Sequence, residues 1–208
     1  MVKQRQMMKK NNNKTKPRQR VMKSAIPSRY PRAVGDTFSM PFKFTNVLET
    51  TSGTPTTKLL VLGQGTSTGS YIFLNDTCAQ FSAGVGFTTR WVLTDLKVEV
   101  RATGVGGSAN TFIAASYIPS NSSLDNPPTG LGEVSNSAHY AESSLGTIGS
   151  FEVKPTEYFN DWRQVSDSDD SDAQCGLIQL YGSGGGSGTA TAGVYTVSGT
   201  LHFCGLRL

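Results

Sequence analysis

The stretch TDLKVEVRA, residues 94–102, sets Leu96, Val98 and Val100 against Lys97, Glu99 and Arg101 in alternation. A period of two lays the apolar residues on one side of a strand, whereas a helix of 3.6 residues per turn would scatter them among the charges. The segment therefore predicts a long strand with one wet face. The same pattern occurs near both ends of the chain. TFSMPFKFT (37–45) groups Phe38, Met40, Phe42 and Phe44, with Pro41 pointing to a sheet edge or a bulge. AGVYTVSGTLHFCGLRL (192–208) groups Tyr195, Val197, Leu201 and Phe203.

Between these lie further candidate strands. TKLLVLGQG (57–65) is a short apolar run ended by glycines, as expected of a strand buried on both faces, and TIGSFEVKP (147–155) and CGLIQLYGSG (175–184) add two more. NTFIAASYIP (110–119) follows the glycine turn 104–107, a spacing that predicts a hairpin with the preceding strand as its neighbour. YIFLNDTCAQFSAGVGF (71–87) fits a short helix or a crossing loop equally well. Residues 120–146 read as a long Ser-, Asn-, Pro- and Gly-rich loop with a helical turn in NSAHYAESS (136–144). Seven to eight strands with Gly- and Ser-rich connections and no strongly amphipathic helix predict an all-β class, an antiparallel sandwich or barrel. The eight-stranded antiparallel jelly roll is a standard member of that class, and here it is expected over residues 36–208, after an arm and linker at 1–35.

Charge divides the chain at the same boundary. Lys3, Arg5, Lys9, Lys10, Lys14, Lys16, Arg18, Arg20, Lys23, Arg29 and Arg32 precede the first acid, Asp36. The remaining 176 residues carry eight bases against fifteen acids, so an overall +4 is the sum of a tail near +11 and a body near −7. Lys, Arg, Gln, Asn and Pro in the tail supply too little apolar surface to offset ordering entropy, which predicts an arm disordered until it meets a polyanion. The eleven bases are thus candidate nucleic-acid contacts. Pro27 and Pro31 mark an extended linker before the body.

Other chemistries find little support. No apolar run approaches the roughly 18 residues of a membrane span, and the N-terminus has no apolar core of a secretory signal, so a soluble protein made in the cytosol is expected, with no membrane partner. The Asn75 and Asn121 sequons then carry no glycan. Cys78, Cys175 and Cys204 are three and widely spaced, which predicts buried thiols and neither disulfide framework nor zinc site. Only two histidines are present, His139 and His202, and neither stands in a hydrolase or metalloprotease motif; no enzyme activity is expected. His202 reads as a solvent or interface residue, and GSGGGSGTATAG (182–193) as a loop tip, since it lacks the lysine and helix of a phosphate-binding loop. Asp167, Asp169, Asp170 and Asp172 crowd one loop and offer hard oxygen ligands suited to calcium, although without the EF-hand spacing.

A basic arm, a proline-marked linker and a jelly roll together resemble the coat proteins of small icosahedral viruses, in particular the shell domain of tombusvirus-like and sobemovirus-like capsids. Three segments carry the resemblance: Arg90-Trp91 opening FTTRWVLTDLKVEVRATG, Ala114-Ala115-Ser116-Tyr117 before a Pro-rich loop, and Gly199-Thr200-Leu201-His202-Phe203 in the last strand. The resemblance implies a shell-only structural protein that assembles with itself into an icosahedral homo-oligomer, packages viral single-stranded nucleic acid, RNA before DNA, and resides in the virion after assembly in the host cytoplasm. It requires no cofactor. Many relatives bind calcium between subunits through two aspartates after the tyrosine; here Ile118 and Pro119 follow it, leaving Asp125 with the 167–172 cluster of a neighbouring subunit as the candidate calcium ligands. A monomeric nucleic-acid-binding β-barrel with a basic tail, and a jelly-roll lectin or cupin-like enzyme, are the competing readings. The arm as a nuclear-localisation signal is compatible with all of them.

Overall fold

The computed structural model describes residues 37–103, 111–120, 126–159, 161–165, 173–184 and 188–206. Ten strands form two sheets. One contains β1 (Thr37–Thr51), β10 (Thr189–Leu206), β4 (Thr88–Ala102) and β7 (Gly149–Val153) in that order, with the two-residue β8 (Arg163–Gln164) also on β4. The other runs β3 (Tyr71–Phe73), β2 (Thr56–Gly63), β9 (Gln174–Ser183), β5 (Phe112–Ile118), β6 (His139–Ser144). Setting aside the short β3 and β8, the eight principal strands taken in chain order lie 1-8-3-6 in the first sheet and 2-7-4-5 in the second. This is the jelly roll that the alternation predicts. All pairings are antiparallel except β2 with β3.

Burial follows the alternation. Along β1 only the even-numbered side chains turn inward, and β1 pairs with β10 alone, which places Pro41 at a sheet edge as expected. In β2, Leu59 to Leu62 are buried on both faces: Leu60 and Leu62 enter the main core, while Leu59 and Val61 pack with Phe73 and Leu177 outside the sheet. Trp91, Leu93, Leu96, Val98, Tyr195, Val197, Leu201 and Phe203 line the inner face of the first sheet, opposite Ile113, Ala115, Tyr117, Ile178 and Leu180 of the second. Residues 71–87 take the helical alternative, as α1 (Leu74–Thr77) and α2 (Ala79–Phe87), preceded by a short strand, β3, that the sequence did not lead us to expect; Phe81 of α2 meets the Trp91 ring edge-on at 4.7 Å. All three cysteines are free and buried, as expected, and burial pushes the Cys175 thiol up to about 12.

Three expectations are corrected. β4 and β5 are not hairpin neighbours: β4 lies between β10 and β7, β5 between β9 and β6, and the chain between them crosses from one sheet to the other. A glycine-rich connection satisfies either geometry, so its length does not discriminate. NSAHYAESS is not a helical turn but contains β6, because pairing with β5 satisfies its backbone and buries Ala141 and Ser143; the turn, α3, lies just upstream at Leu131–Ser135. His202 is not a solvent residue: it is 8% exposed.

The core makes a direct prediction. Phe203 touches both Phe38 (5.2 Å between centroids) and Phe81 (6.5 Å), so Phe203→Ala should cost about 3–5 kcal/mol in urea unfolding of the shell body. Thr45→Ala, at an exposed hydroxyl pair with Thr196 (2.8 Å), should shift the midpoint by less than about 0.5 kcal/mol.

Candidate nucleic-acid interface and assembly surfaces

The eleven arm bases and the acids Asp125, Asp167, Asp169, Asp170 and Asp172 all lie outside the described residues. The strands flanking them nonetheless place their attachment points. Thr37 pairs with Cys204 and Thr51 with Thr189, so β1 begins at the end of the sandwich where β10 finishes. β5 leaves toward Asp125 at Ile118, which pairs with Leu177 near the start of β9, and β9 enters from the 166–172 segment at Gln174. The fold thus attaches the basic arm and both acidic segments to one end of the molecule. At the opposite end β1, β4, β6 and β9 finish and β2, β5, β7 and β10 begin.

The described surface itself is not built for a polyanion. On the outer face of the first sheet, Lys97 Nζ lies 3.1 Å from Glu99 Oε1, and Glu152 stands opposite Lys97 across β7. Among the described residues that face mixes signs, its middle strand presents Thr196, Ser198 and Thr200, and its aromatic ring, Trp162, is buried against Val92 and Cys204. The second sheet has the converse composition. Its outer rows present Phe112, Tyr181 and Tyr140 around Ala114, Ser116 and Gln179, but the only charge there is Glu142, which accepts a short hydrogen bond from the Tyr140 hydroxyl. Burial and this carboxylate hold the Tyr140 phenol well above its ordinary range. Single-strand binding needs stacking rings and cations together, and neither face combines them.

Two polar assemblies were not legible in the sequence. His202 Nδ1 pairs with Ser39 Oγ at 2.7 Å and its Nε2 with Thr94 Oγ1 at 2.9 Å, so one imidazole bridges β1, β10 and β4. Thr94 reaches this position because the register of β4 against β10 shifts between Thr200 and Leu201, an irregularity that no sequence period announces. At the arm end, a pocket of about 390 Å³ is walled by Tyr117, Ile118, Pro119 and Tyr158. His139 Nε2 meets the Tyr158 hydroxyl at 2.9 Å, and the buried Tyr117 hydroxyl donates to the Cys175 carbonyl at 2.8 Å. Each histidine is thus paired with hydroxyls, and among the described residues no three metal-ligating side chains converge.

Comparison with known structures bears on the fold. Chains in the structures of tobacco necrosis virus and Cocksfoot mottle virus superpose with TM-scores of 0.63 and 0.61, at 10% and 11% identity. The matches cover 84% and 83% of this chain and 97% of each virus chain. The chain has the fold of small icosahedral virus coats. A chain of melon necrotic spot virus matches at 17% identity with a TM-score of 0.60, over 83% of this chain and 56% of its own length. No protein-family model matches, and no curated protein matches in sequence. The likeness to these virus coats is therefore carried by strand order and packing, with few shared residues.

The His202 bridge predicts a pH dependence. Burial depresses the imidazole below its ordinary 6.5, against a smaller opposing pull from Asp95. Below 6.5 the unfolded chain binds the proton first, so the stability contributed by neutral His202 is complete above that pH and is lost as pH falls toward the folded value. His202→Gln should flatten this acid-side decline when unfolding midpoints are compared between pH 7.5 and 5.5, as set by the ordinary histidine range. An unchanged slope would assign the decline to other groups.

Proposed function

We propose that this chain is the structural coat protein of a small icosahedral virus, assembling with copies of itself into a closed shell and packaging single-stranded nucleic acid through its N-terminal arm. One observation carries the reading: a jelly roll that matches virus chains over 97% of their length is joined to an arm of eleven bases without an acid. A lectin or enzyme of the same architecture has no use for such an arm. A monomeric nucleic-acid module would need the basic, aromatic face that both sheets lack.

The division of charge gives the mechanism. The arm neutralises phosphates and releases their counterions, a sequence-independent interaction, while the acidic body is left to make contacts with its own copies. Full engagement of eleven cations with a single strand gives a log-log salt slope of about −8, at about −0.7 per contact, as an upper limit. A shell of about sixty copies, the smallest icosahedral number, concentrates on the order of 700 positive charges on the genome. RNA is the favoured cargo, as the resemblance to tombusvirus-like and sobemovirus-like coats implies.

Removing residues 1–32 should leave the body folded and empty of nucleic acid. Sedimentation with detection at 260 and 280 nm checks this: the full chain should give a sharp megadalton species absorbing strongly at 260 nm, and the truncated chain none that does. Copurification of RNA with the truncated protein at moderate salt would refute the arm mechanism.

A further inference from the structure

Ser39 and His202 face each other across the β1–β10 ladder, and their contact at 2.7 Å pairs an exposed serine with a buried imidazole. The hydrogen bonds around the ring decide its tautomer. Thr94 Oγ1 lies 2.9 Å from His202 Nε2, 3.3 Å from Asp95 Oδ2 and 3.5 Å from the Thr200 carbonyl oxygen. A carboxylate and a carbonyl only accept, so the single Thr94 proton goes to one of them and Thr94 accepts from Nε2–H. Nδ1 is then without a proton and accepts from the Ser39 hydroxyl. The order Ser39, His202, Thr94, Asp95 is that of a nucleophile, its base and an orienting group that ends in a carboxylate. Burial keeps the imidazole neutral, the form in which it takes up a proton.

Pro41 reveals a second part of the site. Proline fits an edge strand where its nitrogen faces away from the ladder, and residues two apart on a strand direct their backbone groups to the same side. Ser39 therefore turns its own N–H toward the open edge of β1, which pairs with β10 alone among the described residues. Facing side chains approach more closely at such non-hydrogen-bonded pairs, in keeping with the Ser39–His202 contact. A backbone N–H on the nucleophile itself is placed to stabilise the oxyanion formed when its Oγ attacks a carbonyl. An apolar flank adjoins the ring: Val92, opposite His202 on β4, packs with Trp162 and Cys204 on the same outer face.

We propose that Ser39 is a nucleophile and His202 its general base, in a site that takes esters of small apolar acyl groups. Ser39 Oγ attacks the carbonyl carbon and passes its proton to Nδ1. The bond from that carbon to the alcohol oxygen breaks, and the alcohol leaves with the proton. Water, deprotonated by the same nitrogen, then releases the acid and restores Ser39. Thr94 and Asp95 are positioning residues that hold the ring in its reactive tautomer. This reactivity is independent of the shell reading, which does not require it.

The test treats the full chain at neutral pH with an alkyl fluorophosphonate, in which serine oxygen displaces fluoride from phosphorus. Peptide mass spectrometry should place the adduct on Ser39 ahead of every other serine, and the wild type should turn over p-nitrophenyl acetate. Ser39→Ala, at an exposed position, should remove both with an unchanged melting temperature. His202→Gln should slow labelling about a hundred-fold, within the range that a positioned base contributes. Thr94→Val should slow it too, and Thr94→Ser should restore it. A wild type without an adduct on Ser39, label spread evenly over the exposed serines, or a Ser39 adduct formed as fast in His202→Gln as in the wild type overturns the proposal. The position of the label in the wild type decides the matter even where His202→Gln is destabilised.

Discussion

The sandwich depends on the pairing of its first strand with its last. β10 is an inner strand of its sheet, with β1 on one side and β4 on the other, so β1 has no ladder and β4 lacks its ladder on that side until residues 189–206 are in place. The register joins Thr37 to Cys204 and Thr51 to Thr189, closing loops of nearly the whole body. Loop closure on this scale gives slow, late-committing folding, because the entropy of bringing the ends together precedes the reward of contact. Phe203 and Leu201 complete the inner face only when this strand arrives, and His202 on its outer face then bridges all three strands. Assembly of the core and fixing of the arm's attachment point are consequently one event.

What was legible in the sequence follows from what each signal encodes. Alternation reports which residues of a strand face inward, and the groupings at Phe38 to Phe44, Leu96 to Val100 and Tyr195 to Phe203 are all found. Alternation does not report which sheet a strand joins. The glycines at 104–107 could end a hairpin or let the chain cross, and the choice is made by β10, more than eighty residues downstream, which takes the place beside β4. His202 was misjudged for a related reason. An outward phase predicts exposure, but burial here comes from Ser39 and Thr94, brought to it by a partner strand and a shift of register.

The proposed nucleic-acid contacts rest on composition alone, since an electrostatic arm needs charge density and little geometry, and they lie outside the described residues.

The topology also orders the chemistry of the molecule along its strands. The basic arm and the acidic segments attach at one end, the mixed-charge face lies along the first sheet, and charge vanishes at the far end. Contacts made at the arm end would respond to salt and proton concentration, because segments of both signs attach there, whereas the described connections at the far end, 52–55 and 145–148, hold no titratable side chain. In the shell proposed above, control by salt and pH would then sit at the arm end, a consequence of the order in which eight strands are laid down.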